Sequence, residues 1–276
     1  MLICPNCAQP LSKQNNAMKC PKGHSFDIAA AGYCNLLTGS KPGDFIGDSK
    51  EMVAARRRFL DSGAYEPLRQ KLCELVLDTA PAGAVNILDA GCGEGYYTGA
   101  VAKAVAQSGR ELKMIGADIS KSATAYAAKR DKLSRYITAN SYKLPIENGS
   151  ADLILSLFAP APAEEFKRIL KETGRVIMAV PGTEHLWELK EAIYDEPYKN
   201  DEDKHSLEGF KLQRREKLSY RAKINGADNV QALFSMTPYI HRTGRESMER
   251  LRAIESIELT LSFVLLCYER EAPHES

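Results

Sequence analysis

Four residues near the N-terminus have the types and spacing of a metal site. Cys4-Pro-Asn-Cys7 sets two thiols two residues apart, and Cys20-Pro-Lys-Gly-His24 follows with a cysteine and a histidine. Two such pairs joined by a short hairpin supply the tetrahedron of soft and borderline donors that zinc takes. Gly23 gives the second turn its backbone freedom. The segment from Gln9 to Lys19 is polar and lacks a core of its own, so the metal must provide much of its folding energy. Four protein ligands leave no open position, which predicts a structural zinc. Unliganded thiols beside a surface histidine are the plain alternative, and two correctly spaced pairs weigh against it.

The second constellation is Val85-Asn-Ile-Leu-Asp-Ala-Gly-Cys-Gly-Glu-Gly95. The apolar run Val85–Leu88 suits a buried parallel strand. Asp89 ends it, Gly91, Gly93 and Gly95 follow, and the alanine-rich stretch from Tyr96 to Gln107 is predicted to be helical. Strand, glycine turn and helix let the backbone approach a ligand at the carboxyl end of an open sheet. A dinucleotide fingerprint spaces its glycines G-x-G-x-x-G. Here the third glycine comes one residue early and an acid precedes the first. S-adenosylmethionine has no pyrophosphate to cradle, and its ammonium is suited by an acidic strand end. On Asp89, Gly91, Gly93 and Gly95 the chain resembles the seven-stranded class I methyltransferases, whose first motif reads D-x-G-x-G-x-G. A second strand, Leu112–Asp118, ends in an acid placed to accept from both ribose hydroxyls. Capping of the helix that starts near Ser120 is the other role open to Asp118.

The elements needed to position these groups follow. Arg135–Asn140 reads as a third strand, with Asn140 and Ser141 where this class contacts adenine. A turn from Leu144 leads into a fourth strand ending at Phe158. Ala163–Lys171 reads as a helix stopped by Gly174, and Arg175–Val180 as a fifth strand ended by Pro181. Phe210–Ile224 and Ile257–Tyr268 are predicted as the last two strands, with a helix over Ala227–Met236. Seven strands with helices between them make a doubly wound, Rossmann-like α/β sheet. The expected organisation is a zinc-binding module over 1–36, a flexible linker over 37–50 and the methyltransferase domain over 51–276.

With 276 residues, 44% hydrophobic and 26% charged, the chain can bury a normal core. No apolar stretch reaches bilayer length, and the N-terminus lacks the basic-then-apolar pattern of a secretion signal. A cytoplasmic location is expected. Three of the seven cysteines crowd into the first 20 residues, which speaks for metal rather than disulfides. The net charge of +1 neither demands nor excludes nucleic acid, although residues 1–60 hold eight basic and four acidic side chains. A solvated charged face accounts for that bias equally well.

The whole chain resembles one family more closely, the RlmA-type 23S rRNA (guanine-N1) methyltransferases. The likeness rests on the Cys4/Cys7/Cys20/His24 knuckle, Phe26-Asp-Ile-Ala-Ala-Ala-Gly-Tyr-Cys-Asn-Leu-Leu37 and Pro42-Gly-Asp. It continues through Asp48-Ser, Arg56-Arg-Arg-Phe-Leu-Asp-Ser-Gly-Ala-Tyr65 and Gly91-Cys-Gly-Glu-Gly-Tyr-Tyr-Thr98. Late matches are Pro181-Gly-Thr-Glu-His-Leu-Trp-Glu-Leu-Lys190 and Met236-Thr-Pro-Tyr239. The resemblance implies zinc at the four N-terminal ligands and cofactor contacts at Tyr65, Gly93, Glu94 and His185. It implies a guanine substrate in a 23S rRNA stem-loop lining the peptide exit tunnel. Each contact has a plainer alternative: Tyr65 as a core aromatic, His185 as a satisfied histidine, Glu94 as an acceptor for backbone donors. Of Arg56, Arg57 and Arg58, a helix can turn only some toward RNA.

Methyl transfer at a sulfonium carbon needs alignment above all. Guanine N1 lies on the pairing edge, so the base must leave its stack. Phe158 is a candidate to stack on it, and Glu164 and Glu165 are candidates for a base. Two other functions stay open. One is a small-molecule, quinone-pathway methyltransferase braced by its zinc knuckle. The other is a non-catalytic RNA- or ribosome-binding protein that keeps the cofactor as a ligand. A homodimer is compatible with the sequence but not demanded by it.

Overall fold

The computed structural model describes residues 1–38, 47–237, 239 and 243–271. Residues 39–46 of the expected linker lie outside them. The chain opens with a three-stranded antiparallel sheet, β1 (Ser12–Gln14), β2 (Ala17–Lys19) and β3 (Ser25–Asp27). Asn15, at φ +54°, begins the two-residue turn between β1 and β2, a conformation asparagine tolerates better than most side chains. β4 (Tyr33–Asn35) leaves this sheet and pairs parallel with a strand of the main sheet.

Helices α1 (Lys50–Asp61) and α2 (Glu66–Thr79) come next. Ser49 caps α1 by accepting from Met52 N–H, and Pro67 fits the first turn of α2, where no donor is needed. Then follow β5 (Val85–Ala90), α3 (Tyr96–Gln107), β6 (Leu112–Asp118), α4 (Lys121–Arg130) and β7 (Arg135–Thr138). β8 (Ala151–Leu157), α5 (Ala163–Ile169), β9 (Leu170–Pro181) and α6 (Trp187–Ile193) continue the alternation. It closes with β10 (Phe210–Asn225), α7 (Ala227–Ser235), α8 (Arg245–Arg252) and β11 (Ser256–Arg270).

The main sheet has the order β10-β11-β9-β8-β5-β6-β7-β4. β11 runs antiparallel between β10 and β9, and the remaining neighbours pair in parallel. The seven expected strands are all present, and β4 adds an eighth at the edge. α5 ends two residues earlier than expected, because β9 begins at Leu170, whose partner is Ala151, and carries Gly174 within it.

Side-chain alternation along the strands divides most of the interior into two main cores, with a small third cluster around Cys92, Ala127, Ala128 and Tyr136. Leu153, Leu155 and Leu157 of β8, with Leu261, Phe263 and Leu265 of β11, face α1, α2, α3 and α7. Ile154, Val176, Met178, Val264 and Leu266 face the other way, and there Leu2, Leu11 and Met18 of the N-terminal module share one core with Phe166 of α5. Each such side chain stabilises the fold by about 1.5–3 kcal/mol when fully buried, so the module is joined to the sheet by apolar packing. Among the described residues no helix is long and apolar enough to cross a membrane.

Candidate functional site

The four N-terminal ligands come together. Cys4 Sγ lies 3.5 Å from His24 Nδ1, Cys20 Sγ 3.4 Å from the same nitrogen, and Cys7 Sγ 3.6 Å from Cys20 Sγ. All four donor atoms fall within 4.8 Å of one another. Zinc–sulfur bonds of about 2.3 Å in a regular tetrahedron separate the sulfurs by about 3.8 Å, so the donor set fits a closed structural zinc site with His24 coordinating through Nδ1.

A cleft of about 830 Å³ opens at the carboxyl ends of β5, β6, β8 and β9. β6 lies on one side of β5 and β8 on the other, so this is the switch point where open sheets bind ligands. Tyr65, Asp89, Gly91, Gly93, Glu94, Asp118 and His185 all line it, as do Asn140, Ser141 and Phe158. Gly95 does not. It starts α3 at φ +81°, and an added Cβ there would meet Ala127 at 2.9 Å, so it serves close packing of the loop. Gly91, at φ +89°, has no room for a side chain either, since its Cβ would fall 2.5 Å from Ala159 Cβ.

The carboxylates are disposed for a cationic nucleoside. Asp118 accepts from Gly93 N–H (3.0 Å) through one oxygen and from Ser120 N–H (2.8 Å) through the other. It thus braces both turns, and each oxygen keeps a lone pair for a hydroxyl. Asp89 is buried; one oxygen accepts from Thr98 Oγ1 (2.6 Å) and the other has no partner. Burial, with the nearby charges of Asp118 and Glu94, pushes its carboxyl up to about 7 against the donation from Thr98. Glu94 is also buried with one oxygen unpartnered, and burial raises its pKa. Unpaired buried carboxylates are costly unless a ligand supplies the positive charge. Among the described lining residues, Arg56 is paired with Asp48 and Lys199 with Glu184. Both lining cations thus already face carboxylates, and an ammonium and a ribose suit the buried acids Asp89, Glu94 and Asp118.

Tyr65 and His185 form the opposite wall. Both are buried, and Tyr65 Oη lies 3.2 Å from His185 Nε2. Burial lowers the His185 pKa to about 3, so the ring is neutral. Its Nδ1 accepts from Ser262 N–H at 3.3 Å, which puts the ring proton on Nε2. Nε2 therefore donates to the Tyr65 oxygen, and the Tyr65 hydroxyl hydrogen is left for a ligand acceptor.

The two base candidates need correcting. Glu164 and Glu165 stand outside the cleft. Glu164 is exposed beside Lys167, and Glu165 accepts from Leu144 N–H and pairs with Arg168, so both are engaged away from the cleft. The arginine triplet points three ways. Arg56 reaches the cleft beside Asp48, Arg57 lies over the Tyr126 ring, and Arg58 donates to Asp228 O. Tyr142, Tyr198, Asn200 and Tyr239 also line the cleft and were not foreseen as site residues. For Tyr239 the matched segment Met236–Tyr239 was the available signal; the loop holding Tyr198 and Asn200 has no periodicity to read.

Comparison with known proteins finds relatives of both the zinc module and the sheet domain. A family model described as "RlmA, N-terminal" matches residues 2–40, and one described as "Methyltransferase domain" matches residues 87–179. The 23S rRNA (guanine(748)-N(1))-methyltransferase of Streptomyces fradiae is 36% identical over 194 residues, covering 70% of this chain and 67% of that protein. The chain belongs to the RlmA-type family of methyltransferases. Within this RlmA-type chain, an S-adenosylmethionine-dependent methyltransferase domain is joined to the zinc module. The demethylmenaquinone methyltransferase of Thermotoga maritima is 29% identical over 120 residues, 44% of this chain and 49% of that one. A protein solved in complex with the Trm112 methyltransferase activator of Haloferax volcanii shares the fold, with a TM-score of 0.50 at 18% identity over 82% of this chain and all of that one.

Proposed function

We propose that the chain methylates N1 of a guanine in a stem-loop of 23S rRNA that lines the peptide exit tunnel, and that it does so in the cytoplasm. The observation that carries this is the aromatic character of the cleft mouth. Of five large apolar side chains exposed on the described surface, three (Tyr142, Phe158 and Tyr198) line this one cleft. Exposed rings beside a cofactor site suit an unstacked base, which pairs its π-face with aromatic side chains. Phe158 holds φ +55°, a conformation costing about 1–3 kcal/mol for a side chain of this size. Ser156 Oγ braces the same turn by donating to Ala159 O at 3.2 Å. Strain kept by surrounding bonds at a cleft supports the reading of a ring held for a ligand.

S-adenosylmethionine, when bound, supplies the methyl group on a sulfonium. The residues of the chain align and insulate the reactants. Asp118 and the backbone of Gly93 fix the ribose end, Asp89 and Glu94 balance the positive charge, and Tyr65 donates to a ligand acceptor. Phe158 and Tyr198 hold the guanine that has left its helix, with N1 turned toward the methyl; as N1 gains the methyl, its proton passes to solvent and S-adenosylhomocysteine leaves. Exposed Lys13 and Lys22 of the zinc module are cations available to RNA phosphates.

The quinone-pathway reading keeps one point in its favour, the likeness of the central domain to the Thermotoga maritima enzyme. The zinc module and its family match favour RNA. Incubation with tritiated methyl donor, unmodified 23S rRNA and a demethylated quinone separates the two. Label in rRNA, with a reverse-transcription stop next to one hairpin guanine, supports the proposal. Label in the quinone alone refutes it.

A further inference from the structure

We propose that Lys190 is a positioning residue for the base-binding end of the cleft, acting through Tyr198, Asn200 and Tyr239. This rests on the reading that a guanine occupies that end. Lys190 lies on α6 and is only 1% exposed, a placement that costs free energy unless the ammonium is fully engaged. Its Nζ donates to Tyr198 O and to Asn200 Oδ1, each at 2.9 Å. The same ammonium sits 4.6 Å from the ring centroids of both Tyr198 and Tyr239, within cation–π range.

Its partners extend the clamp. Tyr239 Oη donates to Asn200 Oδ1 at 2.7 Å, and Asn200 Nδ2 donates to Gly182 O at 2.8 Å. One cation thereby joins three parts of the cleft wall: the loop after α6, Tyr239, and Gly182 just past the end of β9. The loop from Asp195 to Asp201 has neither helix nor strand to hold it. Tyr198, Asn200 and Tyr239 line the cleft, but Lys190 itself does not. A buried methionine would fill the volume without the cost of desolvating an ammonium. A lysine is explained by what it holds, since only a cation with several donors serves two oxygens and two rings at once.

The test uses full-length protein with Lys190→Met, Lys190→Arg and Asn200→Ala. Lys190→Met is expected to raise KM for unmodified 23S rRNA about tenfold, with S-adenosylhomocysteine affinity within about twofold of wild type. Asn200→Ala sits on a half-exposed loop and is expected to shift KM in the same direction. The two changes together add less than their sum, because they break one bond. Lys190→Arg restores part of the loss. A second readout needs no substrate. Trp187 is the only tryptophan, and Lys199 of the same loop lies 5.5 Å over its ring. Release of the loop exposes Trp187, so Lys190→Met increases acrylamide quenching. Unchanged KM and quenching in both Lys190→Met and Asn200→Ala overturn the clamp, as does a loss of product affinity parallel to the rise in KM. Failure of the wild-type protein to methylate rRNA overturns the base-site reading, and quenching still judges the clamp.

Discussion

Acidification separates the neutral histidine of the cleft from a surface one. The His185 pKa falls from an ordinary 6.5 to about 3, chiefly through burial and then through the charge of Lys190, against the hydrogen bond from Ser262. Below pH 6.5 the unfolded chain takes a proton on this ring that the folded chain refuses, so stability is lost as pH falls toward 3. Each pH unit in that window is worth about 1.4 kcal/mol, which gives about 2 kcal/mol lost by pH 5 relative to pH 8. Asp89 opposes this. Its folded pKa is raised to about 7, so the folded state takes that proton first and gains stability on acidification. The comparison must therefore be made against His185→Gln, in which the carboxylate contribution remains and the imidazole contribution is gone. Urea unfolding at pH 8, 7, 6 and 5 gives both curves. The wild type should lose about 2 kcal/mol relative to the variant between pH 8 and pH 5. Parallel curves would refute a buried, neutral His185 and with it the tautomer that frees the Tyr65 hydroxyl.

Three further outcomes follow from the same structure. Because an ammonium favours the ionised form of Asp89, S-adenosylhomocysteine affinity should fall as pH drops below 7, by up to about tenfold per unit, read by calorimetry at several pH values; a flat profile contradicts the contact. Gly91→Ala drives a Cβ within 2.5 Å of Ala159 at φ +89°, and a strain of about 1–3 kcal/mol should weaken product binding about tenfold or more in titration calorimetry. Zinc analysis should find one metal per chain, and Cys20→Ser or a strong chelator should lower the melting temperature in calorimetry, because the Leu2, Leu11 and Met18 packing on the second core depends on the knuckle.

Much of the site could be read before the fold because its chemistry is local. The stretch Asp89–Gly95 holds strand end, turn and helix start in one run of sequence, and the cysteine pairs state their own geometry. Asp118 was legible from its place at a strand end, but its double duty to Gly93 and Ser120 depends on two turns meeting in space. Glu164 and Glu165 were misleading because closeness to β8 in sequence says nothing of direction. A short helix with its own ion pairs turned them away. β4 was unreadable as a strand of the main sheet, since three residues carry no period and their partner β7 lies about 100 residues downstream. The Lys190 clamp was hidden for the same reason. A lysine in the last turn of an amphipathic helix reads as solvated, and only the packing of the loop after α6 buries it.

Nucleoside analysis of the methylated RNA tests the central claim most directly. After reaction with unmodified 23S rRNA, complete digestion and mass spectrometry should reveal a single new species, 1-methylguanosine, absent when Asp118→Ala replaces the wild type. A methyl group on guanine N2, on ribose, or on no RNA nucleoside at all would contradict the account.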